Sequence, residues 1–124
     1  MVEPLAILLY EKLMPGSLLV NRLPELGYRV VTLNDADELL RCAEREKPLV
    51  VLADLFGARN KVCEAIARLK QNPATAHVPV VAYSCSQDES LHQAARQAGA
   101  ALVTTEAAIS QHLPQLLEQA LTAF

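Results

Sequence analysis

Glu46-Lys-Pro-Leu-Val-Val-Leu-Ala-Asp-Leu55 is the stretch that decides the fold. Within it, Leu49 to Ala53 is an unbroken apolar run of strand length, the most hydrophobic in the chain. An alternating strand would leave one face wet, whereas a continuous run suits a strand covered on both faces. Pro48 ends whatever helix precedes it, because the residue before a proline is steered out of the helical region. Asp54 follows the run directly, so a carboxylate stands at the carboxyl end of this strand.

The same alternation extends outward from there. Ahead of the run, Leu39, Leu40 and Ala43 share one helical face, and Asn34 or Asp35 can cap that helix. Behind it, Val62, Ala65, Ile66 and Leu69 define another helix, closed by Asn72-Pro73. Leu5 to Tyr10 and Tyr28 to Leu33 read as the first and second strands. Between them lies a helix from Ser17 to Leu26, which Pro24 should kink and Gly27 should stop. Val78 to Tyr83 is the fourth strand, Asp88 to Ala98 a helix ended by Gly99, and Ala101 to Thr104 the fifth strand. The last helix carries Leu113, Leu116, Leu117, Ala120, Leu121 and Phe124. Strict alternation of strands and helices predicts an α/β fold, a doubly wound five-stranded parallel sheet with right-handed crossovers. In such sheets chemistry gathers at the carboxyl ends of the strands. The sequence puts Glu11 and Lys12, Asp54, Ser84, and Thr105 with Glu106 there.

A chain of 124 residues allows one domain, spanning 1–124. With 52% hydrophobic and 20% charged residues it has the balance of a globular fold. A formal charge of −3 is a poor footprint for gripping phosphate backbones, so nucleic acid is not an expected partner. No apolar run approaches the roughly 18–20 residues that span a bilayer, and Met1-Val2-Glu3-Pro4 lacks the basic start of a signal peptide. Cys42, Cys63 and Cys85 are odd in number and widely spaced, which suggests neither a disulfide framework nor a zinc site. A cytoplasmic protein with reduced thiols and no membrane partner is expected.

Gly27-Tyr-Arg-Val-Val-Thr-Leu-Asn-Asp35, Glu46 to Leu55 and Asn72-Pro-Ala-Thr-Ala-His-Val-Pro-Val-Val-Ala-Tyr-Ser84 together resemble the receiver domain of bacterial two-component response regulators. The Asn-Pro and Val-Pro spacing in the last stretch is the most specific part, and Ala98-Gly-Ala100 matches the end of the family's fourth helix. The resemblance covers essentially the whole chain and implies the flavodoxin-like (βα)5 receiver fold with strand order 2-1-3-4-5. It also implies a site. By register Asp54 matches the phospho-acceptor and Ser84 the hydroxyl that grips the phosphoryl group, while Glu11 matches the first of two magnesium-binding acids. Lys12 falls where the direct metal ligand should be, and Glu106 where a lysine should pair with the phosphoaspartate. Ala58 and Ala107 replace prolines of the pattern, and Val103 replaces its aromatic switch.

The lysine at position 12 matters chemically. Magnesium wants near-ideal oxygen coordination, and phosphoryl transfer depends on it to neutralise charge on the phosphoryl oxygens. An ammonium cannot ligate the ion and repels it. Even so, Glu11, Asp54 and Glu106 with Lys12 carry the same formal −2 as the family's usual set, as though an acid and a lysine had exchanged strands. One reading makes Lys12 a fixed cation within salt-bridge reach of Asp54, in a pseudo-receiver with no cofactor that signals through protein contacts. A second keeps the chain phosphorylatable by a histidine kinase, with Glu106 helping Glu11 and Asp54 hold magnesium and Lys12 pairing with the phosphoryl group. Formally, that receiver would catalyse its own phosphorylation and dephosphorylation. The bland alternative treats these charges as unconnected surface residues, and a separate, non-signalling possibility is a structural assembly module.

Competing chemistries lack their residues. An aspartyl-phosphate phosphatase would need a second aspartate at the position held by Phe56, and Glu11 to Ser17 is not a flavodoxin phosphate loop. His77, His92 and His112 show no metal-ligand spacing and are expected on the surface. Tyr83 reads as a packing residue and Cys85 as a small loop or strand-end residue. The resemblance places the docking face on the fourth helix, fifth strand and fifth helix, and His92, Gln93, Arg96 and Gln97 are expected to point outward there. A kinase or an output protein is the implied partner. With no output domain in the sequence, a single-domain regulator or a domain cut from a longer protein is expected.

Overall fold

The computed structural model describes residues 5–9, 21–33, 36–55, 60–84 and 89–121, without the side chains of 36, 60, 61, 91, 106 and 110. Strands β1 (Leu5–Leu9), β2 (Arg29–Leu33), β3 (Val50–Asp54), β4 (Val80–Ser84) and β5 (Leu102–Thr105) form one sheet. Its order is β2-β1-β3-β4-β5 with every pairing parallel, as the sequence predicts. The three inner strands, β1, β3 and β4, are buried along their whole length, while β2 and β5 at the edges are only half-buried. That difference explains why the inner strands read as continuous apolar runs and β2 begins with an arginine.

Helix α1, described over residues 21–25, precedes β2. A 3-10 turn (Ala36–Glu38) leads into α2 (Leu39–Glu46), followed by α3 (Asn60–Gln71), α4 (Glu89–Ala98), α5 (Glu106–Gln111) and α6 (Leu113–Leu121). Strand alternation splits the core in two. Ile7, Leu9, Val51, Ala53, Val80 and Ala82 meet α2, α3 and α4 on one face of the sheet. Ala6, Leu8, Val50, Leu52, Val81 and Tyr83 meet α1, α5 and α6 on the other. Each fully buried leucine, isoleucine or valine contributes about 1.5–3 kcal/mol, so the sheet's two faces carry most of the stability.

Helices α1 and α4 end the same way. Gly27 donates to Pro24 and Tyr28 to Leu23, and likewise Gly99 donates to Arg96 and Ala100 to Ala95. These paired bonds satisfy the last carbonyls of the helix and need a residue at positive φ, which Gly27 (+93°) and Gly99 (+115°) supply.

The single final helix expected from the sequence is corrected to two, α5 and α6, parted at His112. Pro114 sits in the first turn of α6, where a missing N–H is tolerated, but the same residue blocks continuation from α5. Leu49, expected to open the third strand, instead lies just before β3 and is exposed. The helix caps proposed at Asn34 and Asp35 lie outside the described residues.

Candidate functional site

Three strand ends come side by side. Asp54 closes β3 opposite Tyr83, and Ser84 closes β4 opposite Thr105, the last residue of β5. Leu55 prolongs the β3–β4 pairing by donating to the Tyr83 carbonyl at 2.8 Å, which fixes how far the two strands run together. Asp54 is 2% exposed and Ser84 1% exposed, so the acid and the hydroxyl stand under the rim of the sheet. Alternation turns the Asp54 side chain to the α5–α6 side and the Ser84 side chain to the α3–α4 side.

Thr105 turns β5 directly into α5. Its hydroxyl accepts from the Ala108 N–H at 3.2 Å, capping the helix, so Glu106 becomes the first helical residue. The Glu106 side chain, and all of Glu11 and Lys12, lie outside the described residues. So do Phe56, Ala58, Cys85 and Phe124, and with Lys12 the expected ion pair to Asp54.

The Ser84 hydroxyl meets a residue that sequence reasoning assigned elsewhere. Its Oγ lies 2.7 Å from Nε2 of His92, in the first half of α4. His92 is 7% exposed, so its expected place on the outer face is corrected. The reason is helical phase: among the described side chains of α4, His92 and Ala95, three residues apart, are buried, while Gln93, Arg96 and Gln97 are exposed as expected. His77 and His112 are also exposed as expected, and Tyr83 is a fully buried packing residue. A buried histidine could have been suspected from two signals. It shares a face with Ala95, and Ser84 at an inner strand end needs a polar partner.

Among the described residues, no group of three or more His, Cys, Asp or Glu side chains could hold a metal ion. Glu11, Lys12 and the Glu106 side chain, the other positions that the receiver resemblance assigns to the metal site, lie outside those residues. Among the described helices, none is long and apolar enough to cross a membrane. A groove of about 380 Å³ lined by Leu26, Tyr28, Pro114, Leu117, Glu118 and Leu121 borders the start of β2, away from the carboxyl ends of the strands.

The architecture is that of known signalling modules. A response regulator from Thermotoga maritima is similar with a TM-score of 0.82 and 19% identity, over 98% of this chain and 99% of that one. The receiver domain of a sensor histidine kinase from Pseudomonas aeruginosa, solved with a magnesium ion coordinated in its active-site cleft, is similar with a TM-score of 0.85 and 19% identity, over 97% and 98% of the two chains. The signal receiver domain of a modulated diguanylate cyclase from Desulfovibrio desulfuricans is similar with a TM-score of 0.80 and 24% identity, over 97% and 94%. No protein-family model matches the chain, and no curated protein matches it. The fold is therefore that of the receiver domains of two-component response regulators.

Proposed function

We propose that this chain is a pseudo-receiver, a module that works in signal transduction through protein contacts and without magnesium-dependent phosphorylation of an aspartate. Under this reading it is not an enzyme and takes no cofactor. Its partner is a histidine kinase or an output protein, met in the cytoplasm. The feature that carries the reading is Lys12, which the receiver resemblance aligns with the position of the direct metal ligand. Glu106 supports it further, because an acid there withdraws the cation that would pair with a phosphoaspartate. The docking face is the exposed side of α4 with Gln93, Arg96 and Gln97, a polar and weakly charged surface suited to a modest, transient interface.

Asp54 and Ser84, which close adjacent strands, keep the acceptor and hydroxyl of the receiver pattern, and that match in sequence favours a second reading in which the chain accepts a phosphoryl group. One titration separates the two. Magnesium with beryllofluoride, a phosphoryl mimic, is added while the amide signals of Asp54 and Ser84 are followed by NMR. The pseudo-receiver leaves them unchanged. Saturable shifts in the millimolar range of magnesium would establish the second reading.

A further inference from the structure

We propose that Lys70 is an acylation site: its amine takes an acyl group from a thioester, and the product unfastens the corner where α3 meets the chain leading into β4. This corner lies at the opposite end of the sheet from Asp54 and Ser84.

The surroundings of Nζ suit a neutral amine. Nζ donates to the carbonyls of Val78 at 2.6 Å and Ala76 at 3.2 Å. An ammonium has three N–H donors, and among the described residues the third meets no partner. The described ion pairs join Arg22 to Glu25 and Arg45 to Glu46, and no described carboxylate is paired with Lys70. A free amine in the same place keeps two N–H groups for the two carbonyls and turns its lone pair to where the third proton was. Deprotonation therefore breaks no hydrogen bond here, whereas a lysine facing a carboxylate would lose its ion pair. Burial favours the same form and lowers the pKa. The stem is held in place by Gly99, where an added Cβ would stand 2.6 Å from Cγ, and the residue is half-buried, so a reagent can reach it. An oriented lysine amine of this kind is a nucleophile.

The amine adds to the carbonyl carbon of the thioester. The C–N bond forms, the C–S bond breaks, and the thiolate leaves with the electron pair and takes up the amine proton. The product is an uncharged amide with a single N–H, which can serve only one of the two carbonyls. The other loses its charge-assisted bond. The turn it belongs to is held by the Ala76 N–H donating to Asn72 and the Val78 N–H to Thr75, so those two amides report the loosening.

The test uses the whole chain with acetyl-CoA as the thioester and reads Lys12, Lys47, Lys61 and Lys70 by peptide mass mapping. Lys70 is acetylated at least about threefold faster than Lys47 in the native protein, and the advantage disappears in urea. Hydrogen exchange at Ala76 and Val78 then speeds up by about fivefold or more in the acetylated protein, while the α2 amides stay as they were. Lys70→Gln, which carries an uncharged amide, shows the same acceleration, and Lys70→Arg, which keeps the charge and the donors, retains slow exchange. Acetylation of Lys70 no faster than that of Lys47, a preference that survives in urea, or unchanged exchange at Ala76 and Val78 after acetylation would overturn the proposal.

Discussion

Gly99 at the end of α4 and Lys70 near the end of α3 are packed so closely that a Cβ on Gly99 would stand 2.6 Å from Cγ of Lys70. The lysine stem has little freedom to yield, because Nζ donates to the carbonyls of Val78 at 2.6 Å and Ala76 at 3.2 Å. Burial of this amine lowers its pKa. One lysine therefore joins α3, the chain leading into β4 and the turn after α4, and the whole arrangement seats α4 beside the candidate site.

Gly99→Ala is expected to destabilise the protein by about 2–4 kcal/mol, combining positive-φ strain with displacement of the Lys70 stem. Gly27, at a φ of +93° with nothing within 4 Å of an added Cβ, isolates the backbone cost. Gly27→Ala should lose only about 1–2 kcal/mol. Urea denaturation of both variants checks the difference, and equal losses would contradict the packing argument.

Thr75 is a second fastener on the same path. Its buried hydroxyl donates to the Leu69 carbonyl at 2.7 Å, while Asn72 Oδ1 accepts from the Ala74 N–H and shapes the turn. Thr75→Val keeps the shape and loses the donor, so it should cost about 1–2 kcal/mol, and Thr75→Ser should recover most of it. Thermal denaturation of the two variants tests this, and a Val variant as stable as the parent would contradict it.

The sequence shows the inner strands clearly because β1, β3 and β4 are buried on both faces and their apolar runs are unbroken. Asp54 and Ser84 were legible for the same reason, as the polar residues that end such runs. Helix α5 was not, since Ile109 is the one large apolar residue among Glu106 to Gln111 and a single residue makes no periodic stripe. Thr105 did carry the signal for its start, a hydroxyl ahead of a helix-forming run. His92 was misplaced because the buried and half-buried α4 side chains described beside it, Ala94, Ala95 and Ala98, are alanines, which suit core and surface alike.

Cys42 on α2 and Cys63 on α3 have thiol pKa values raised by burial. A raised folded-state pKa means that the folded protein holds these protons more tightly than the unfolded chain does. Their contribution is thus complete below the ordinary value of 9.0 and is lost as pH climbs through the raised values. Stability should fall on the alkaline side of that point, and Cys42→Ser/Cys63→Ser should flatten the fall. At neutral pH iodoacetamide should modify both thiols slowly in the native protein and quickly in urea, as read by peptide mass mapping. Rapid native modification of Cys42 would contradict its buried place.

Lys12→Asp returns an oxygen ligand to the register position of the metal and removes the opposing ammonium. Magnesium affinity, followed through the Asp54 amide signal, should rise by tenfold or more, about 1.4 kcal/mol. Lys12→Met removes the charge without adding a ligand and should gain less. Tight magnesium binding by the unsubstituted protein would contradict the role given to Lys12.

The central claim is that Asp54 occupies an acceptor's position without accepting a phosphoryl group. Incubation of the whole protein with acetyl phosphate and magnesium, read by intact mass, tests it most directly. The account predicts no phosphate adduct, and a spectrum identical to that of the Asp54→Asn variant. A single adduct on the unsubstituted protein that disappears in Asp54→Asn would contradict it.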